Sequence, residues 1–157
     1  MSKIRIIVVD RTRSSFLREG EEVYLRRLRK YAQVEWVQVK PAKISKGRRT
    51  EEVLEEEARE IKRHILPRAS VIALDRPGHQ YDSEEMAAWL EALFGKTAGS
   101  LSFVIGGPLG LSGQIISQAE SVLSLSRLTL THEMTRLILL EQLYRAFTIL
   151  RGEKYHK

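Results

Sequence analysis

A glycine-rich segment, residues 103–113 (FVIGGPLGLSG), has the composition of a ligand-binding loop. It follows an apolar run typical of a buried strand, and glycines at the carboxyl end of such a strand let a ligand approach the backbone closely. The segment has no charged side chain. We therefore expect it to hold a neutral heterocycle by backbone N–H and C=O groups and apolar contacts, rather than to grip a pyrophosphate. The alternative is an ordinary glycine-rich turn.

Residues that support several other chemistries are absent or unsuitably spaced. The chain has no cysteine, which excludes disulfides, thiolate metal sites and a cysteine nucleophile. The four histidines, His64, His79, His132 and His156, form neither an H-x-x-x-H nor an H-E-x-x-H spacing, so we expect no metal site. The motifs G-x-x-x-x-G-K-[ST] and G-x-S-x-G are missing, and no G-x-G-x-x-G follows the first strand. Triphosphatases, α/β-hydrolases and ordinary dinucleotide-binding folds thus lose their main support.

Basic side chains are concentrated in the first third of the sequence. Residues 1–50 contain 14 lysines and arginines against 5 aspartates and glutamates, in a chain of net charge +6. Most of them stand in two runs, residues 26–30 (RRLRK) and 40–49 (KPAKISKGRR). Such runs can bind a phosphate backbone by releasing counterions, which favours a nucleic acid partner. The alternative is a solvated basic face.

Short apolar runs alternate with amphipathic stretches along the chain. The apolar runs predict strands at 4–10, 34–40, 70–75, 100–107 and 121–127. The amphipathic stretches predict helices at about 14–31, 51–66, 83–94 and 132–150. Most of the strands are apolar on both faces, which favours a mostly parallel sheet covered by helices. The run 34–40 mixes in polar residues, as an edge strand does.

The last predicted helix, 132–150, is apolar nearly all round. A helix of this kind must be buried on more than one side. Self-association would bury it, and so would a central position in the core of a monomer; the periodicity leaves both possibilities open.

Length and composition fit one domain. The chain has 157 residues, 43% of them apolar, and we interpret residues 1–157 as a single domain. No run of about 18 apolar residues exists to cross a membrane. Charged residues interrupt the first apolar run at Arg5, Asp10 and Arg11, so we expect no signal peptide and a cytoplasmic location.

Four segments, in order, resemble one known family. They are I-G-G-P-x-G-L at 105–111, L-S-L-S-x-x-T-x-x-H-x-x-x-R at 123–136, E-Q-x-Y-R-A at 141–146 and G-E-x-Y-H-[KR] at 152–157. Together they resemble the ribosomal RNA large-subunit methyltransferase H family, of the SPOUT class. One departure is Asp10, which stands where relatives commonly have glycine.

The resemblance implies a parallel-sheet α/β SPOUT methyltransferase fold with a C-terminal trefoil knot. It also implies that S-adenosyl-L-methionine (SAM) sits among the knot loops, and that the protein is a homodimer whose C-terminal helices pack together. Carried over by position, the SAM contacts are Leu74, Gly106, Leu125, Ser126, Arg127, Leu128, Thr129 and Leu130.

The activity implied is methylation of N3 of pseudouridine 1915 in 23S rRNA within the ribosome. The imide proton must leave before N3 can attack the methyl group. In this mechanism His156 is the candidate base, Arg145 a candidate to stabilise the uracil oxygens, and Tyr155 a candidate to stack on the base. Each has a plainer interpretation: Arg145, for example, could simply pair with Glu141. The rival function is a non-catalytic RNA-binding ribosome-assembly factor of the same fold.

Overall fold

The computed structural model describes residues 1–157 and is built on a five-stranded sheet. The strands are β1 (Lys3–Val9), β2 (Gln33–Val39), β3 (Ser70–His79), β4 (Ser100–Ile105) and β5 (Ser121–Leu123). Their order is β2-β1-β4-β3-β5, and every neighbouring pair is parallel. The predicted parallel α/β architecture is confirmed, and β2 lies at the edge as its polar residues indicated.

Five helices cover the two faces of the sheet. They are α1 (Ser15–Leu28), α2 (Thr50–His64), α3 (Ser83–Lys96), α4 (Gly113–Gln118) and α5 (His132–Leu150). Helices α1, α3 and α5 contribute to the larger core on one face, while α2 and α4 contribute to the smaller core on the other. The strand β1, which lies between β2 and β4, serves both, because Ile6 belongs to the first core and Ile7 to the second.

The structure corrects several predicted boundaries. The helix α4 was not predicted, because its six residues are too few to show a periodicity; Ser112 caps it by accepting a hydrogen bond from the Ile115 amide at 3.2 Å. The predicted strands 100–107 and 121–127 end earlier, at Ile105 and Leu123. Their apolar pattern continues beyond these points because the following residues line a cavity instead of pairing in the sheet. The strand β3 instead runs past 75 to His79, with an irregular register after Leu74.

Helix α5 lies between α1 and α3 and contributes seven buried residues to the interior of the chain. Its buried residues include Leu139, Leu140, Leu143 and Phe147, all in the larger core. The packing corresponds to the core-helix alternative, so the apolar character of α5 does not by itself require a partner. Evidence for a dimer must come from the site.

Asp10, immediately after β1, has a left-handed backbone with φ of 70°. Its carboxylate accepts hydrogen bonds from the Arg11 amide at 2.8 Å and from Arg13 at 3.0 Å. Together with the charges of Arg13 and Arg11, these bonds outweigh the opposing effect of burial and lower the pKa of Asp10. This conformation is one that favours glycine over residues with a Cβ.

We expect Asp10→Ala to lower the free energy of unfolding by about 1–2 kcal/mol, since alanine keeps the backbone strain and loses the hydrogen bonds. Asp10→Gly also loses the hydrogen bonds but relieves the strain, and should be about 1 kcal/mol more stable than the alanine variant. Urea unfolding of the three proteins measures both differences. Equal stability of the two variants would contradict the strain argument.

Candidate functional site

A cavity of about 960 Å³ opens where the carboxyl ends of β3 and β4 meet the start of α5. Its lining comes from the start of α1, the end of β3, the glycine-rich segment, the chain between β5 and α5, and the first turn of α5. The size is at the upper end of the range of small-molecule sites. Ligands of open parallel sheets bind at this same edge.

The cavity brings together seven of the eight residues that the resemblance implied as SAM contacts. They are Leu74, Gly106, Leu125, Ser126, Leu128, Thr129 and Leu130. The eighth, Arg127, is exposed and does not line the cavity; its carbonyl oxygen lies 3.5 Å from the guanidinium of Arg76, which does.

The glycine-rich segment folds tightly on itself at the cavity wall. Gly107 and Gly110 form an antiparallel bridge, and the Gly110 amide donates to the Gly107 carbonyl at 3.0 Å. A Cβ added at Gly106 would lie 2.3 Å from the Gly110 carbonyl oxygen. Gly110 itself has φ of +84°. The wall thus depends on the absence of side chains at both positions.

Several backbone amides in the opposite wall have no hydrogen-bond partner within the chain. Residues 124–128 form a turn in which the Ser124 hydroxyl donates to the Ser126 carbonyl and the Leu128 amide donates to the Ser126 hydroxyl, both at 3.0 Å. The amides of Leu125, Thr129 and Leu130 make no such bond. Uncharged donors beside apolar side chains are suited to a neutral heterocycle such as adenine.

Charged groups stand at one side of the cavity. Glu133 ties α5 to α1, because its carboxylate accepts hydrogen bonds from the amides of Arg13 at 3.0 Å and Ser14 at 3.1 Å. Burial and the nearby Arg136 lower the pKa of His132. Asp75 is the second carboxylate of the lining.

A buried ionic network next to Glu133 was not predicted from the sequence. Arg136, fully buried, donates to the Thr12 hydroxyl at 2.8 Å and to the Val9 carbonyl at 2.5 Å, while Thr12 donates to Glu21 at 2.7 Å. The Arg136 Nε has no partner. Burial raises the pKa of Glu21 and lowers that of Arg136. The network joins the end of β1, α1 and α5, and its only sequence signal is an arginine in an apolar helix.

Arg145, Tyr155 and His156 form a second cluster, on the C-terminal half of α5. Glu141 is its centre: one carboxylate oxygen accepts hydrogen bonds from Arg145 Nη2 at 2.5 Å and from the Tyr155 hydroxyl at 3.1 Å. The Arg145 guanidinium also lies 4.8 Å from the centre of the Tyr155 ring. The hydrogen bond to Glu141 raises the pKa of Arg145, and a hydrogen bond with Tyr24, burial and Glu141 raise the pKa of Tyr155.

The cluster also favours one tautomer of His156. Arg145 Nη1 lies 3.2 Å from His156 Nδ1. A guanidinium can only donate, so Nδ1 is the acceptor and carries no proton in this arrangement. The lone pair of the candidate base is therefore occupied by Arg145.

The cavity and the second cluster lie apart within one chain. Arg145 follows Thr135, the last residue of this helix that lines the cavity, by 10 residues, which is about 15 Å along the helix axis. No rotation of a side chain spans that distance.

Two other features bear on the class of protein. No group of three or more histidine, aspartate or glutamate side chains is placed to hold a metal ion. None of the helices combines the length and apolar character that a membrane crossing requires.

The chain is similar to known proteins over nearly its full length. A family model described as "Predicted SPOUT methyltransferase" matches residues 2–156. Proteins named ribosomal RNA large subunit methyltransferase H are 44% identical in Moorella thermoacetica, over the whole of both chains, and 40% identical in Thermotoga neapolitana, over 98% of this chain and 99% of the relative. A probable methylase family protein of known structure from Haemophilus influenzae has a TM-score of 0.54 at 14% identity, covering 98% of this chain and 70% of that one, which is a likeness of fold.

Proposed function

Because the chain belongs to the ribosomal RNA large-subunit methyltransferase H family of SPOUT methyltransferases, we propose that it transfers a methyl group from SAM to N3 of a pseudouridine in 23S rRNA. The observation that carries the proposal is the cavity at the sheet edge. It combines the glycine-rich wall with the unpaired amides of Leu125, Thr129 and Leu130. A non-catalytic assembly factor would have no chemical need for such a cavity.

The residues of the cavity fit SAM in kind. The free amides can donate to the ring nitrogens of adenine, and the apolar side chains of Leu74 and Leu123 can pack on its faces. Asp75 and Glu133 offer negative charge to the cationic part of the molecule. SAM supplies a methyl group made electrophilic by its sulfonium. The chain has to supply alignment, exclusion of water and the handling of one proton.

The proton and the charge of the uracil ring are the task of the second cluster. We propose that Arg145 turns from Glu141 and His156 to the uracil oxygens, where it stabilises the anion formed when the N3 proton leaves. The same movement frees His156 Nδ1 to accept that proton. Tyr155 then stacks on the base.

The distance between the cavity and the second cluster supports a homodimer. About 15 Å of helix separates Arg145 from the nearest cavity-lining residue of the same chain, Thr135, and we propose that a second copy supplies the tail that completes each cavity. Exposed apolar side chains at the cavity rim, Phe16 and Leu128 (69% and 74% exposed), offer a surface that such a copy could cover. We further propose that residues 1–157 work as one domain in the cytoplasm, without a metal. The trefoil knot stays a prediction.

The test is direct. We expect calorimetry to detect binding of SAM and of its demethylated product. We also expect tritium from methyl-labelled SAM to appear at one pseudouridine of ribosomes that lack the modification, located by mass spectrometry of the nucleotides. Ribosome binding without uptake of SAM would reject the enzyme in favour of the assembly factor.

A further inference from the structure

Residues 40–49, between β2 and α2, form a segment that we call the basic loop. It carries three exposed lysines without an ion-pair partner, Lys40, Lys43 and Lys46. The two arginines that complete it are occupied. Arg48 pairs with Glu56 at 2.5 Å, and Arg49 pairs with Glu52 at 3.1 Å. The charge available to an anionic partner is therefore that of the lysines.

Hydrogen bonds hold the basic loop in a defined shape. At its start, the Ala42 amide donates to the buried carboxylate of Glu57 at 3.1 Å. At its end, Arg48 Nη1 donates to the Lys43 carbonyl at 2.9 Å, and the Arg48 amide donates to the Ser45 carbonyl at 3.1 Å. Arg48 thus stabilises the bend of the chain between Lys43 and Lys46.

The basic loop lies at the same end of the sheet as the cavity, the end at which the parallel strands have their carboxyl termini. It begins at the carboxyl end of β2, and in a parallel sheet all carboxyl ends share one edge. In the sheet order, β2 is two positions from β4, which leads into the glycine-rich segment; two strand spacings are about 10 Å. Helix α2 then runs back across the sheet, so that Lys62 in its last turn lies toward the opposite edge.

We propose that the basic loop binds the phosphate backbone of the RNA beside the target nucleotide, through Lys40, Lys43 and Lys46. The inference rests on the proposed function, which places RNA at this edge. Flexible ammonium groups suit sequence-independent contacts with phosphates, since base pairing and shape can select the nucleotide. Arg48 and Arg49 shape the loop and its junction with α2.

The experiment compares two double variants that each remove two positive charges. Lys43→Gln with Lys46→Gln alters the basic loop, while Lys62→Gln with Lys96→Gln alters exposed, unpaired lysines in the last turns of α2 and α3. Binding to ribosomes that lack the modification is measured from low to high salt. We expect the loop variant to lower the slope of log K against log salt by about 1–2 and to bind about tenfold more weakly at moderate salt. The control variant should match the wild-type protein.

Two further readouts keep the result interpretable. Thermal unfolding and SAM binding should be unchanged in both variants, because neither pair lies in a core or in the cavity lining. An unchanged salt slope in the loop variant, or an equal fall in the control, would overturn the proposal. A wild-type protein that binds ribosomes but transfers no methyl group would instead reject the proposed function, and the salt slopes would still decide the role of the loop.

Discussion

Gly106→Ala should abolish useful binding of SAM, with a Kd weakened by at least about 100-fold, or about 2.7 kcal/mol. The added Cβ would lie 2.3 Å from the carbonyl oxygen of Gly110 and 2.5 Å from its carbonyl carbon. Both are backbone atoms, so no side-chain rotation relieves the contact. The chain would have to open the bridge between Gly107 and Gly110, which forms the cavity wall.

Gly113→Ala is the matched control for this change. A Cβ at Gly113 meets nothing within 4 Å, and the residue lies outside the cavity lining. Calorimetry with SAM and thermal unfolding of both variants separate loss of the site from loss of the fold. If the Gly106 variant folds and its Kd stays within about threefold of the wild-type value, less than 1 kcal/mol, the glycine-rich wall does not hold the methyl donor.

Removing Tyr155, His156 and Lys157 should reduce methyl transfer to ribosomes by about 10³-fold or more, since a base and a stacking group are lost together. SAM binding should be unchanged, because none of these three residues lines the cavity. Lys154→Ala is the control, as this residue is exposed in the same segment and should be dispensable. Single-turnover transfer of labelled methyl groups measures the difference, and a truncated protein with normal turnover would remove the tail from the mechanism.

Mixing the truncated protein with the Gly106→Ala variant decides whether the tail acts on its own subunit. If a second copy supplies the tail, the mixed dimers pair an intact cavity with an intact tail once per dimer. Random exchange of subunits then restores about a quarter of the wild-type activity. If each tail serves its own cavity, mixing restores nothing.

The glycine-rich wall could be predicted from the sequence because its cause is local. Gly106 and Gly110 are four residues apart, and their use follows from the absence of a Cβ close to another backbone segment. The parallel sheet was likewise predictable, since β1 and β4 are apolar on both faces. The cavity wall formed by residues 124–130 could not be predicted in this way. Residues 124–127 continue the predicted strand 121–127 in the sequence, and only the short pairing of β5 with β3 leaves the Leu125 amide free.

Arg136 shows most clearly which features could not be predicted from the sequence. Whether an arginine in an apolar helix points to solvent or into the core depends on its partners, and Thr12 lies 124 residues away in the sequence. The tail has the same difficulty. The pair of Arg145 with Glu141 follows helical spacing, but the return of Tyr155 to Glu141 depends on how the chain folds after α5 ends.

The Arg136 network also has a consequence for synthesis on the ribosome. The guanidinium donates hydrogen bonds to the Val9 carbonyl and to the Thr12 hydroxyl, which in turn donates to Glu21. The groups at the end of the first strand and at the first helix therefore lack this hydrogen-bond partner until residue 136 has been translated. The strand β1 likewise pairs with β4, about a hundred residues later. Contacts this distant in sequence form slowly and late. We therefore expect the nascent chain to acquire a pocket for the methyl donor only near its release, when both ends of the chain are available.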